Sequence, residues 1–252
     1  MGGQDGNANT RTISGVTTKV GKTFVTFTVS KKVGRKTTSY KATAIFDLDP
    51  LPTWATGAFV GMAGNAYVRM DVTAGGAISG YRFDAAGKQT FSATGFTEAD
   101  GFYSATLKGK GVSLGIVVGS SVNDSLGVTQ GMAEFAVGGG AFNSPWNLDG
   151  AAPVVPDGRG TLALKFAEKG VIACTYTVGR NATSGSTQIC ALTWNGDDRV
   201  WQAHVAVALA AKKDKKGKVL VPALIRSYLL HLPADEAGTV ITENITVEEA
   251  LD

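Results

Sequence analysis

The chain has 252 residues, of which 33 are glycine, 7 are proline and only 18% are charged, and its formal net charge is +3. This composition excludes a disordered chain, which carries more charge, and a collagen or coiled coil, which needs a strict glycine period or an Ala/Glu/Lys/Leu bias. The longest largely apolar run, residues 203–211, contains His204 and is too short for a transmembrane helix. A soluble, glycine-punctuated β protein with one large core or two smaller ones remains.

From residue 20 to residue 232, the dominant pattern is the alternation of apolar and polar residues. It is clear in residues 24–30, 67–72 and 162–166, and turn signals such as Gly75-Gly76 and Asn195-Gly196 separate the alternating runs. Short strands at a spacing of about ten residues, joined by tight turns, are typical of antiparallel barrels and sandwiches. The predicted fold class is therefore all-β, with short hairpins and barrel-like or sandwich-like units.

An internal repeat divides the chain into two related units. Residues 68–79 match residues 162–173 at an offset of 94, and residues 100–105 match residues 198–203 at an offset of 98. Three prolines interrupt the connection at 143–158, where central strands are disfavoured. The prediction is an N-terminal β unit over 1–145, a C-terminal β unit over 146–233 and an acidic tail over 234–252 that adds an edge strand near 240–247.

Charge is distributed unevenly along the chain. Six acidic residues and no basic one lie from Pro233 onward, so the rest of the chain carries +9. A basic body attracts anions only unspecifically, and the lysine-rich segment 212–218 lacks the interleaved aromatics of a single-strand nucleic-acid site. We predict no nucleic-acid partner and expect the acidic tail to fold back on the basic body.

The segment around the first repeat copy resembles a known family. The alternating strand of residues 67–72, the turn Gly75-Gly76, Ser79-Gly80 and the run Gly87-Lys88-x-Thr90-Phe91 are similar to the repeat in exported proteins of the verrucomicrobial group. This resemblance implies small β-barrel modules on secreted or cell-surface proteins. Met1-Gly2-Gly3 lacks the basic and apolar regions of a signal peptide, so we interpret it as a trimmed start. The motif sets turns only and transfers no catalytic residue.

The two cysteines, Cys174 and Cys190, flank a polar segment that predicts a hairpin. If this hairpin is symmetric about Ala182, the sulfurs face each other, and a disulfide would indicate an oxidising compartment. The alternative is two small buried thiols. Since the chain has no Cys-x-x-Cys pattern, we predict no zinc site, no other metal and no cofactor.

Enzyme motifs are scarce. The chain has two histidines and neither a Gly-x-Ser-x-Gly elbow nor a His-Glu-x-x-His motif. Asp47 and Asp49, at the end of a predicted strand, could meet Asp149 from the inter-repeat connection as the carboxylate pair of a secreted aspartic-type acid hydrolase acting on mucin-like glycoproteins. The diagnostic Asp-Thr/Ser-Gly triplet is absent, and capping of turns is the other interpretation of these residues.

Tryptophans near predicted turns provide the second candidate site. Flat aromatic faces beside amides and carboxylates suit sugar rings, although tryptophans also plug the ends of barrels. The candidate ligand-binding residues are Trp54, Trp146, Trp194, Trp201, Asn195 and Asp197. The predicted function is a secreted or surface module that binds a glycan or glycoprotein, with the acid hydrolase as the alternative and the oligomeric state left open.

Overall fold

Almost every regular element of this chain is a β-strand, in agreement with the predicted fold class. The structure is a computed structural model that describes residues 20–123, 128–143, 154–157, 159–167, 171–236, 240–241 and 245–249. Within these ranges a single 3-10 turn, Thr53–Ala55, is the one helical element. The same ranges contain no helix with the length and apolar character that crossing a bilayer requires.

The first two strands form a long hairpin, which we call the arm. Strand β1 (Gly21–Val33) pairs with β2 (Lys36–Leu48) in an unbroken antiparallel register from the Gly21–Leu48 pair to the Val33–Lys36 pair. The left-handed backbone of Gly34 (φ +62°) makes the turn between them. The arm is a two-stranded sheet by itself, because no other described strand pairs with it.

The first barrel follows directly after the arm and is closed by eight strands. The strands between residues 57 and 143 are β3 (Gly57–Ala63), β4 (Ala66–Val72), β5 (Ile78–Asp84), β6 (Gly87–Ala93), β7 (Thr97–Ala99), β8 (Phe102–Gly109), β9 (Val112–Asn123), β10 (Val128–Phe135) and β11 (Gly140–Asn143). Their order is β6-β5-β4-β3-β11-β10-β9-β8, and one pair, Ser92–Lys108, joins β6 to β8. The short strand β7 lies outside the ring, on β8.

The second barrel has seven strands and is nearly closed. They are β12 (Val154–Asp157), β13 (Gly160–Phe166), β14 (Val171–Val178), β15 (Asn181–Asn195), β16 (Val200–Leu209), β19 (Leu224–Pro233) and β20 (Thr246–Glu249), in that order. A small separate hairpin, β17 (Lys212–Lys213) with β18 (Val219–Val221), interrupts the path from β16 to β19.

Each barrel has its own hydrophobic core, and the repeat supplies equivalent residues to both. Alternate positions of β4, with Val68, Met70 and Val72, point into the first core. The matching positions of β13, with Leu162, Leu164 and Phe166, point into the second core. The period of two along a strand places all three side chains on one face, which is why the sequence pattern recurs with the core. The boundary predicted at residue 145 lies outside the described residues.

The two barrels pack side by side through a third buried cluster, formed by Val60, Tyr67, Cys190 and Ala206. Buried glutamines connect the barrels across this contact. Gln188 Nε2 donates to the carbonyl oxygens of Ala58 (2.8 Å) and Phe142 (3.1 Å), and Gln130 Nε2 donates to that of Cys190 (2.9 Å). These side-chain bonds to backbone carbonyls satisfy polar groups that burial would otherwise leave without a partner.

The hairpin geometry predicted for the cysteines is wrong. The β14–β15 turn falls between Val178 and Asn181, so Cys174 lies opposite Gly185 and not opposite Cys190. Cys174 belongs to the core of the second barrel, whereas Cys190 lies at a β-bulge facing the first barrel. Both thiols are free and buried, and burial raises the pKa of each to about 12.

Candidate functional site

A cleft of about 470 Å³ lies where the arm joins the first barrel. One wall comes from the chain that leaves β2, the floor from the turn between β4 and β5, and the other wall from the segment between β6 and β8. The lining residues are Leu48, Asp49, Pro50, Leu51, Gly75, Gly76, Gly95, Phe96, Glu98 and Tyr103. Three separate parts of the chain therefore converge on this cleft, although they are far apart in sequence.

Three aromatic rings form a connected group at the cleft. The ring of Tyr103 lies 5.7 Å from that of Trp54 and 5.9 Å from that of Phe96, which meets it edge-on at 64°. Trp54 sits in the 3-10 turn and packs against the first core, so it supports Tyr103 from behind. Phe96 and Tyr103 themselves line the cleft and are half-buried. Such a group presents an apolar wall with the phenol oxygen as a polar end.

The floor of the cleft is made of glycine. Gly76 closes a turn in which its N–H donates to the carbonyl oxygen of Thr73 at 2.9 Å, and its φ of +83° is one that side-chain-bearing residues rarely adopt. A Cβ on Gly76 would lie 3.5 Å from the Phe96 ring. Because the floor lacks side chains, a ligand can approach the backbone closely.

Two carboxylates, those of Asp49 and Glu98, line the same cleft, and its lining contains no basic residue. Glu98 Oε1 accepts a hydrogen bond from the N–H of Gly101 at 3.1 Å, which orients this carboxylate. Both acids belong to exposed residues and so keep contact with water. The cleft thus combines an aromatic wall, a bare floor and anionic hydrogen-bond acceptors.

The predicted residues of the second barrel occupy a different place. Trp194 and Trp201 are cross-strand partners whose rings lie 4.7 Å apart at the end of the barrel, and Trp201 is only 8% exposed within the core. Asn195 Nδ2 donates to Asp198 Oδ2 at 2.8 Å, while Asp197 is exposed beside them. The tryptophan pair covers the end of the second core, and Asn195 stabilises the turn.

The predicted carboxylates are divided. Asp49 lines the cleft, but Asp47 is an exposed residue of β2 opposite Lys22 and does not line it. Trp146 and Asp149 lie outside the described residues. In the described part of the chain, no three His, Cys, Asp or Glu side chains are grouped so that they could hold a metal ion.

Two further clefts lie on or beside the second barrel. One of about 420 Å³ is lined by Arg159, Tyr176 and the start of β19, and a smaller one of about 120 Å³ lies between the barrels beside His204 and Cys190. Desolvation lowers the pKa of His204 from its ordinary value, although part of the ring is exposed. Neither cleft has an aromatic pair like that of Phe96 and Tyr103 among its lining residues.

Sequence reasoning missed Phe96, Glu98 and Tyr103. In the repeat, Tyr103 is the counterpart of Trp201. Glu98 lies in a short polar segment before the turn Asp100-Gly101. The available signal was the change of the repeat offset from 94 to 98, which shows that the two copies differ in this connection, the second being four residues longer between the matched segments.

Comparison with protein-family models, with curated proteins and with solved structures finds no match for this chain. The fold and the cleft define its class as a two-barrel all-β protein with an aromatic, acidic cleft, and the chain is assigned to no family.

Proposed function

We propose that this chain is a binding module of a secreted or cell-surface protein, and that the cleft beside the arm holds a glycan, free or attached to a protein. The observation that carries the proposal is the convergence of Phe96, Tyr103, Asp49 and Glu98 on one glycine-floored cleft. The similarity of residues 67–95 to the repeat of exported verrucomicrobial proteins supports the surface location.

The chemistry of the cleft suits a sugar ring. The C–H face of a pyranose stacks on an aromatic ring such as Tyr103, while carboxylates accept hydrogen bonds from two neighbouring hydroxyl groups. The Glu98 carboxylate is already oriented by its bond from Gly101, so less side-chain entropy is lost when a ligand binds. The glycine floor allows the ring edge to reach the backbone.

A glycan array followed by calorimetry on the bound saccharides tests this proposal. Tyr103→Ala removes the stacking face and should weaken binding by about two- to tenfold, as expected for an aromatic contact of about 0.5–1.5 kcal/mol. Glu98→Gln should also weaken it while keeping an oxygen that can accept from Gly101. The matched control is Phe102→Ala, because Phe102 directly precedes Tyr103 in β8, is 54% exposed and does not line the cleft.

Two results would contradict glycan binding at this cleft. One is the absence of any binding saccharide with the unmodified chain. The other is equal binding by the unmodified chain, Tyr103→Ala and Glu98→Gln, which would place the sugar elsewhere.

The second candidate function is an acid hydrolase of mucin-like glycoproteins, and one observation favours it: Asp49 and Glu98 line the same cleft. Hydrolysis of glycosidic bonds commonly uses two carboxyl groups on either side of the scissile bond. Incubation with mucin at mildly acidic pH should then release fragments, and Asp49→Asn should abolish the release. Asp47→Asn, on the adjacent strand but outside the cleft, is the control; release that survives Asp49→Asn excludes this function for the cleft.

A further inference from the structure

The outer part of the arm, which includes its turn, is more exposed than the part that leads into the first barrel. On one side of β1 the residues are half-buried as far as Phe27 and exposed from Val29 onward. Residues 36–40 of β2, which pair with this exposed part, are exposed as well. We call residues 29–40 the arm tip.

The two faces of the arm tip differ in chemistry. The register places three large apolar side chains on one face, those of Val29, Val33 and Tyr40, and Val29 lies directly opposite Tyr40. Each of the three is 65% or 66% exposed. The other face carries hydroxyl groups, with Ser30 Oγ 2.7 Å from Ser39 Oγ. We call the first of these surfaces the apolar tip face.

The arm tip is also strongly basic. It contains no acidic residue and four basic ones, Lys31, Lys32, Arg35 and Lys36. Two of them, Lys31 and Lys36, lie on the apolar tip face, where Lys36 is the cross-strand partner of Val33. Exposed apolar side chains and cations therefore share one face.

Protection of the strand edges explains only part of this composition. No other described strand pairs with either edge of the arm, and lysines on open edges prevent pairing with other chains. Such protection does not need three apolar side chains that are two-thirds exposed, because exposed apolar groups promote association. The combination indicates a partner surface that offers both hydrocarbon and negative charge.

We propose that the arm tip binds to the surface of a lipid bilayer with anionic headgroups, with the apolar tip face turned towards the lipid. Val29, Val33 and Tyr40 reach the boundary between headgroups and acyl chains, where the apolar ring and polar hydroxyl of a tyrosine are both accommodated. The ammonium groups of Lys31 and Lys36 contact the phosphates, since long basic side chains extend to the headgroups. The hydroxyl face stays in water, and the arm lies on the bilayer without spanning it.

The apolar and the cationic groups are both needed for this attachment. A small apolar anchor by itself gives marginal, reversible binding, and stable binding takes a second contribution such as a basic cluster. Each base held close to an anionic bilayer strengthens binding by about fivefold, so four bases contribute on the order of several hundredfold.

The membrane contact is separate from the proposed glycan cleft. Strand β2 ends at Leu48, which lines the cleft, whereas the arm tip lies at the other end of the hairpin. The two are roughly 40 Å apart along the strands. Tyr103→Ala, which should weaken glycan binding, should therefore leave vesicle binding unchanged, so the two proposals fail independently.

Co-sedimentation with phospholipid vesicles tests the proposal. The unmodified chain should bind vesicles of phosphatidylcholine mixed with phosphatidylserine at least tenfold more tightly than vesicles of phosphatidylcholine alone. This preference should decline as salt is raised, because the Debye length falls from about 10 Å at 0.1 M to about 3 Å at 1 M.

A pair of substitutions tests the apolar contribution. Val29→Thr with Tyr40→Thr removes apolar contact while keeping residues that favour strands, and should weaken binding by about tenfold. The matched control is Phe24→Thr with Ile45→Thr. This is also a cross-strand pair, 64% and 59% exposed, but it lies on the opposite face of the arm and outside the arm tip. The control should bind within about twofold of the unmodified chain.

A second pair tests the cationic contribution. Lys31→Gln with Lys36→Gln should weaken binding to the anionic vesicles by about tenfold or more. The control is Lys215→Gln with Lys216→Gln, which removes the same charge from exposed positions between β17 and β18. This control should stay within about twofold of the unmodified chain.

Fluorescence gives a measurement that does not depend on loss of binding. The emission of Tyr40→Trp, taken as the difference from the unmodified chain, should move to shorter wavelength when anionic vesicles are added. The emission of Ile45→Trp, on the opposite face, should not move.

Equal binding to the two kinds of vesicle, or no binding to either, would overturn the proposal. So would a control pair that weakens binding as much as the corresponding tip pair, or an equal emission shift in the two tryptophan variants. Binding to heparin without binding to vesicles, weakened by Lys31→Gln with Lys36→Gln but not by Val29→Thr with Tyr40→Thr, would identify a sulfated polysaccharide as the partner and refute membrane binding.

Discussion

The two barrels share a repeat but close in opposite ways. In the first barrel, β6 and β8 meet at a single pair, and β11 fills the space between β3 and β10. In the second, β15 and β16 pair extensively, from Ile189–Val205 to Asn195–Val200, while the described strands β12 and β20 do not pair. The strands β6 and β8 of the first barrel are therefore joined by one pair of residues, whereas their counterparts in the repeat, β15 and β16, are paired along much of their length.

This difference decides where a binding site can exist. In the second barrel, residues 196–199 connect β15 to β16 directly, and Trp201 is buried against Trp194. In the first barrel, residues 94–101 take a longer path through β7, and Tyr103, the counterpart of Trp201 in the repeat, faces a cleft beside Phe96. The same repeat position is thus a core residue in one copy and a candidate ligand-binding residue in the other.

Equivalent truncations should break the two cores separately. Met70→Ala in the first core and Leu164→Ala in the second occupy matching positions and remove side chains that are at most 1% exposed. Each should lower the free energy of unfolding of its own barrel by about 2–5 kcal/mol, because a buried side chain is lost and a cavity remains. Hydrogen exchange followed by mass spectrometry locates the loss strand by strand.

Because each core is built from its own strands, Met70→Ala should accelerate exchange in β3–β11 and leave β12–β20 protected. If both barrels lost protection from exchange to the same extent in both variants, the two barrels would unfold as one cooperative unit. The two cores would then not contribute separately to stability.

The contact between the barrels should depend on Gln188. Gln188→Leu leaves the carbonyl oxygens of Ala58 and Phe142 without their donor, which should cost about 1–3 kcal/mol. Thermal unfolding should then separate into two transitions or shift to lower temperature. Gln202→Leu, on β16 of the same barrel, is a control because Gln202 is not part of the described contact; an equal effect of both substitutions would contradict the proposed role of Gln188.

Buried thiols should make the second barrel sensitive to alkaline pH. Burial raises the pKa of Cys174 to about 12, from an ordinary value of 9.0. The folded chain therefore keeps its proton where the unfolded chain releases one, so this contribution to stability is complete below about pH 9 and is lost as pH rises towards 12. Unfolding midpoints measured between these values should fall, and they should fall less steeply in Cys174→Ala; an identical slope in the variant would refute the assignment.

The smallest effect is expected from His204, in the cleft between the barrels. Desolvation lowers its pKa, so the neutral ring is favoured in the fold. Its contribution is present above the ordinary pKa of 6.5 and is lost as pH falls through the lowered value. His204→Gln should flatten the acid side of the stability profile slightly, since the ring is partly exposed; a steeper acid loss in the variant would show that charged His204 stabilises the contact.

Particular residues show how far sequence reasoning reached. The alternation in residues 68–72 and 162–166 predicted two equivalent strands, and their inward positions are core residues of the two barrels. The predicted ligand-binding set included Trp54, which packs on a ring of the cleft, but it also included Trp194 and Trp201, which cover the end of the second core. Asp49, which lines the cleft, was predicted separately as a carboxylate of the acid hydrolase. The hairpin symmetric about Ala182 does not form, because the turn lies two or three residues earlier, and the alternative of two buried thiols is the arrangement in the structure.

The sequence by itself determined the all-β class, the strand periodicity and the glycine turns, because each depends on neighbours within about ten residues. It also determined the internal repeat, because a repeat is found by comparing one segment of the sequence with another. Tertiary structure alone decided how extensively the equivalent strands of the two barrels pair and which aromatic residues line a cleft. Those outcomes depend on contacts between strands distant in the chain, such as β2 with the segment after β6. The high glycine content marks the turns, but pairing between remote strands determines what the turns bring together.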